Sequence, residues 1–207
     1  MKTPRLIAVL GCLVACVFAA GPMLGAVPVL PPTRPLAAPS PADGFNRYKN
    51  WHVRYQCEKW TRASDFHAGK RPNAVVTRQE NLLLNGGINQ MLQLLTGTGG
   101  TAYSSANARI KVGNSTTAAA NTQTDLQGGS VAEATMDSTF PQVTAQTATW
   151  KSTFGSGVAN HAWEEVTVLN GASPVSGSVV ALNRKVATFG VKASGSVWTM
   201  TVTVSIS

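Results

Sequence analysis

From Trp198 to Ile206 the chain alternates without a break. Trp198, Met200, Val202, Val204 and Ile206 fall on one side, and Thr199, Thr201, Thr203 and Ser205 on the other. Successive side chains of a strand point to opposite faces, so such a segment commits one face to an apolar layer and leaves the other polar. The same period recurs at Trp51, Val53, Tyr55 and Cys57, and again at Ala148, Trp150, Ser152 and Phe154 with Thr147, Thr149, Lys151 and Thr153 between them. Shorter runs at Ala74–Val76, Ala108–Val112, Ala162–Leu169 and Ser178–Phe189 read as further strands, and Gly69–Pro72 as a turn. Strands at this spacing, parted by Gly-rich turns, predict an antiparallel β-sandwich or jelly-roll-like domain. Charged residues are only 13% of the chain. Its surface is therefore kept soluble by Thr, Ser and Asn, or covered by neighbours in an assembly.

One helix interrupts the strands. Ile88, Met91, Leu92 and Leu95 stand at i, i+3, i+4 and i+7, a single apolar stripe. Asn85 is placed to cap it and Gly97 to stop it. The stripe is expected to pack on the protein's own sheet. The Thr/Ala/Asn-rich stretch from Asn114 to Thr124 reads as a loop.

The N-terminal part has a different character. Residues 1–26 form an apolar segment: Lys2 and Arg5 precede an uncharged run, Val17-Phe18-Ala19 resembles a signal-peptidase site, and Leu13-Val14-Ala15-Cys16 a lipobox. An export signal or anchor, an arm buried in an assembly, and an upstream start codon all fit this pattern. Residues 27–43 are a Pro-rich linker, part of a stretch with seven prolines between 22 and 41. Residues 44–80 read as a basic, strand-containing arm and 81–207 as the β-sandwich domain. Of the formal net charge of +8, residues 1–80 hold a surplus of seven, eleven Lys or Arg against four Asp or Glu. Such a segment meets phosphate, anionic lipid or an acidic protein face, or lies solvated. There is no regular Arg spacing and few aromatics are placed for base stacking, so no specific nucleic-acid site is assigned.

Glu164-Glu165 is the only carboxylate pair, and neighbours on a strand point apart, which does not suit two groups flanking one substrate bond. One of the two is expected to be tied into a hydrogen-bonded turn or interface. His52, His67 and His161 have no metal-ligand spacing, and the three cysteines, Cys12, Cys16 and Cys57, form no CxxC. Cys57 takes a buried strand position. No G-x-S-x-G elbow is present, and Gly97-Thr98-Gly99-Gly100 follows a helix instead of opening one, unlike a phosphate cradle. Asn114-Ser115-Thr116 is a glycosylation sequon, relevant only in a eukaryotic secretory context. The expectation is a protein without catalytic, cofactor-binding or metal residues.

A set of landmarks follows in order along residues 81–207: Asn81-Leu82-Leu83-Leu84-Asn85-Gly86-Gly87-Ile88 with its helix, Ala108-Arg109-Ile110-Lys111-Val112-Gly113-Asn114-Ser115-Thr116-Thr117, and Thr124-Asp125-Leu126-Gln127. Phe140-Pro141-Gln142-Val143, Phe154–Glu165, Leu182-Asn183-Arg184-Lys185 and the strand from Trp198 complete it. In this order they resemble a structural module of tailed-bacteriophage virion proteins, over about three-fifths of the chain. The resemblance implies a β-rich virion component, a head decoration or tail appendage, and carries no catalytic residues across.

The expected role is thus a capsid decoration or cement protein, or a tail appendage, that forms a homo-oligomer in the virion. Its partners would be copies of itself and other virion proteins, the major capsid or tail proteins. The alternative is an exported bacterial surface or lipoprotein-like binding module in the cell envelope, with a membrane as partner if the N-terminal segment is a real anchor.

Overall fold

The computed structural model describes residues 51–171 and 179–207. The apolar segment, the linker, the first residues of the arm, Cys12, Cys16 and the Ser178 end of one expected strand lie outside them. The described chain runs β1 (Trp51–Trp60), α1 (Ala63–His67), β2 (Ala74–Gln79), β3 (Leu82–Leu83), α2 (Asn85–Thr96), β4 (Arg109–Gly113) and β5 (Val131–Thr135). It continues β6 (Gln142–Thr144), β7 (Thr147–Phe154), β8 (Ala162–Leu169), β9 (Asn183–Val191) and β10 (Val197–Ile206). Two five-stranded antiparallel sheets, ordered β2-β1-β10-β7-β6 and β3-β9-β8-β4-β5, pack as a sandwich.

The alternating segments become central strands. β10 lies between β1 and β7, with Trp51 opposite Ile206 at one end and Trp60 opposite Val197 at the other. Val53, Tyr55 and Cys57 of β1, Met200, Val202 and Val204 of β10, and Phe154 of β7 are buried in the layer between the sheets. The segment read as an arm therefore supplies, from Trp51 onward, two strands of the first sheet. On the facing sheet Ile110, Val112, Val166 and Val168 complete the layer. Trp163 is wholly buried, with Phe154 and Trp198 edge-on to it at centroid distances of 4.7 and 4.9 Å, and its indole N–H donates to Ala159 O at 2.9 Å. Aromatic rings in this arrangement align the positive edge of one with the negative face of the next.

Helix α2 differs from its sequence reading in two respects. Leu84, in extended conformation, occupies the N-cap position, and Asn85 is the first helical residue. The Asn85 backbone N–H goes to Asn121 O at 2.8 Å. Gly97, at φ +67°, ends the helix as expected. The stripe is only half covered: Ile88 and Met91 pack on the core, whereas Leu92 is 54% and Leu95 82% exposed. The helix is turned so that Gly87 and Gln90 face inward instead. Gly87 lies against the Leu182 backbone so closely that a Cβ would come within 2.3 Å of Leu182 O. Gln90 Nε2 donates to Thr101 O at 3.0 Å. Close backbone approach at Gly87 sets the helix's rotation, and leucine hydrophobicity is overridden.

β9 meets the two-residue β3 only at Asn183 and Arg184, so the rest of that edge lacks a neighbouring strand, as does the outer edge of β2. Two cations bridge these edges, and a third reaches β9 from the neighbouring β1. Arg78 donates to Thr188 O (2.8 Å), Lys185 to Gln79 O (2.6 Å), and Lys59 to Phe189 O. Inward-reaching charge of this kind blocks pairing with a foreign strand.

Candidate functional site

The second sheet carries charge where a strand interior is normally apolar. Arg184 of β9 and Glu165 of β8 are both fully buried, and their side chains pair at 2.7 Å between Nη2 and Oε2. Arg184 Nε donates to the same carboxylate oxygen at 2.8 Å. Burying a charge is costly unless it is paired and its remaining hydrogen-bonding capacity is used. Here that capacity goes to a single loop. Glu165 accepts from the backbone N–H of Gln127 (3.1 Å) and of Gly128 (2.7 Å). Arg184 donates to Thr117 O (2.9 Å), Ala118 O (3.2 Å) and Gln123 Oε1 (2.9 Å). The ion pair thus grips both limbs of the segment from Asn114 to Ser130, which has no regular secondary structure.

Two neighbours support the grip. Lys111, on β4 and only 6% exposed, reaches Asp125 at 2.5 Å. Leu126 beside it is buried and serves as an apolar anchor. Glycine is required next to the carboxylate: a Cβ at Gly113 would stand 2.5 Å from Glu165 Oε1, and one at Gly128 2.9 Å from it. Within the loop Gln123 Oε1 also accepts from Ala120 N at 2.9 Å, and Asn114 Oδ1 accepts from Ser130 N at 3.0 Å. A loop of this length is ordinarily mobile or functional. This one is fixed from beneath, while most of its upper residues are exposed.

The two glutamates singled out by sequence therefore part company. Glu165 is tied into the loop, as expected of one of the pair, and Glu164 accepts from the Thr188 hydroxyl at 2.5 Å at the surface. The histidines sit in three unrelated settings. His52 is 3.7 Å from Glu80, the His67 ring is 5.4 Å from Phe66 in α1, and His161 Nδ1 donates to Ala162 O at 2.8 Å. Among the described residues, no three His, Cys, Asp or Glu side chains gather as a metal-binding group. Cys57 is buried, and burial pushes its thiol up to about 12. Asn114 of the sequon is exposed, but its side-chain oxygen is engaged with Ser130.

Sequence reasoning passed over Arg184 and Lys111 as site residues, noting them only within landmarks. A signal was available: a basic residue set among strand residues, as in Ala-Arg-Ile-Lys-Val and Leu-Asn-Arg-Lys-Val, is seldom buried unless an acid meets it.

A second surface lies on the outer face of the first sheet. Thr147, Thr149, Lys151 and Thr153 of β7 stand opposite Ser205, Thr203, Thr201 and Thr199 of β10. Their hydroxyls engage one another and nearby acids, Thr147 with Ser205 at 3.0 Å and Thr153 with Asp137 at 2.8 Å. Thr199 donates to Glu58 at 3.1 Å. This is a polar, largely self-satisfied face. Comparison with protein-family models, curated proteins and solved structures gave no match.

Proposed function

We propose that this chain is a structural component of a tailed-phage virion, a capsid decoration or cement protein or a tail appendage, working through self-assembly and protein–protein contacts. One observation carries the reading. Among the landmarks on which the phage resemblance rests, seven residues shape one strapped loop, from Asn114 to Ser130: Lys111, Gly113 and Asn114, then Asp125 and Gln127, then Glu165 and Arg184. A chain that spends a buried ion pair on maintaining a fixed surface suits a coat component, whose task is to present the same contact in every copy.

Peptide mass spectrometry of purified particles tests it. Peptides from residues 51–207 present at many copies per particle are the expected result. Absence from particles, together with a mature start after Ala19 or a lipid on Cys16, would replace the reading with the exported surface module.

A further inference from the structure

The charge of the molecule is unevenly placed in a way that bears on how copies meet. From Asn81 to Asn107, across β3, α2 and the following loop, there is no Asp, Glu, Lys, Arg or His, and none from Asn114 to Thr124. The two uncharged stretches are joined in space, where Asn85 N donates to Asn121 O at 2.8 Å. On the first of them Leu92, Leu94 and Leu95 are exposed (54%, 38% and 82%), although the rest of α2's apolar residues pack inward. On the second, Thr117 O, Ala118 O and Gln123 Oε1 are all held by Arg184.

We infer that α2 and the strapped loop together form a self-association surface, and that its occupant is the same surface of a second copy. The chain is strongly basic, at +8. Two like-charged copies approach at least cost where neither presents charge, and an uncharged surface has no attraction for the acidic partner that the basic N-terminal part would suit. A surface that meets itself about a two-fold axis must be self-complementary, which a neutral apolar helix beside a neutral polar loop satisfies without any pairing of opposite charges. Exposed residues within 85–107 and 114–124 number 23, the upper limit of what one face built from them can offer, against about 20–30 a side in a standard interface. The loop is pre-organised, so little ordering entropy opposes the contact. The sealed β2–β9 side, with its three cations, is unsuited to the same role. The inference rests on the self-assembly half of the proposed function and not on the particle half.

Light scattering coupled to size exclusion, run on the full chain across a dilution series, tests it. The wild type should pass from monomer to dimer with concentration. Leu92→Lys with Leu95→Lys, both at exposed helix positions where Lys is a good helix former, should weaken that association at least about tenfold. Thr116→Arg with Thr122→Arg in the loop should weaken it in the same direction. Val143→Lys, on the exposed β6 edge at 77% exposure, should leave it unchanged. A wild type that is monomeric throughout, association that both double variants leave intact, or association lost only with Val143→Lys would each overturn the inference. A chain abundant in particles yet monomeric in solution would do so while leaving the virion reading standing.

Discussion

Replacing Arg184 with Met keeps the aliphatic stem and removes the guanidinium. Glu165 then remains fully buried without its counter-ion, holding only the two N–H donors of Gln127 and Gly128. Breaking a buried pair from one side in this way costs about 3–5 kcal/mol. For a domain of this size that corresponds to a fall in Tm of about 6–20 °C. Thr117 O and Ala118 O lose their donor too, but they lie in an exposed segment and turn to water at little cost. The informative comparison is with Glu165→Leu/Arg184→Met. An apolar pair of similar volume recovers most of the stability, since a buried ion pair is close to neutral against a hydrophobic replacement. It leaves Gln127 and Gly128 without an acceptor, so the loop opens all the same. Chemical denaturation reads the stability, and amide exchange at Gln127 and Gly128 reads the loop. If Arg184→Met costs under about 1 kcal/mol, or if those amides keep their protection in Glu165→Leu/Arg184→Met, the ion pair is not what fixes the loop.

Other expectations follow from the same geometry. Gly113→Ala should destabilise by about 1–3 kcal/mol, because its methyl meets the Glu165 carboxylate; Gly129→Ala, with nothing within 4 Å, should change stability by no more than about 0.5 kcal/mol, both read by denaturant titration. Cys57 should resist thiol reagents in the native protein at mildly alkaline pH and react once it is unfolded, as followed by reagent absorbance. Burial also raises the phenols of Tyr55 and Tyr103. All three groups therefore ionise more readily in the unfolded chain than in the folded one. Each contributes stability that is fully present below its unfolded pKa and falls by about 1.4 kcal/mol per pH unit above it. For Cys57 that window runs from 9.0 to about 12. Lys185 and Lys192, held below the usual range by burial, pull the other way. Tyrosinate absorbance from Tyr55 and Tyr103 should accordingly appear together with the loss of near-UV circular dichroism, and its appearance in a still-folded protein would contradict their burial.

Much of the fold was written locally. The period of two at Trp51–Cys57, Ala148–Phe154 and Trp198–Ile206 named the central strands and their buried faces, because a strand's facing is set by each residue and its neighbours two positions away. The Gly97 stop, the buried Cys57 and the loop from Asn114 were legible for the same reason. Short elements were not: β3 and β6 have two and three residues, too few to announce a period, and β5 (Val131–Thr135) alternates only small residues with Glu133. Of the strand expected from Ser178 to Phe189, the described part is β9, Asn183–Val191.

What only the tertiary structure decided was long-range partnership. Trp51 faces Ile206 from the other end of the chain, and Glu165 meets Arg184 and the loop at Gln127. Glu164 and Glu165 are indistinguishable in sequence, yet a register shift between Trp163 and Glu165, and a loop laid over the second sheet, bury one and leave the other at the surface. Leu92 and Leu95 look like core on any helical wheel, yet the close seating of Gly87 on Leu182 turns them outward. Periodicity records which face a residue takes relative to its neighbours. What that face will meet is fixed by the contacts of distant segments, and these exist only once the two sheets have closed on each other.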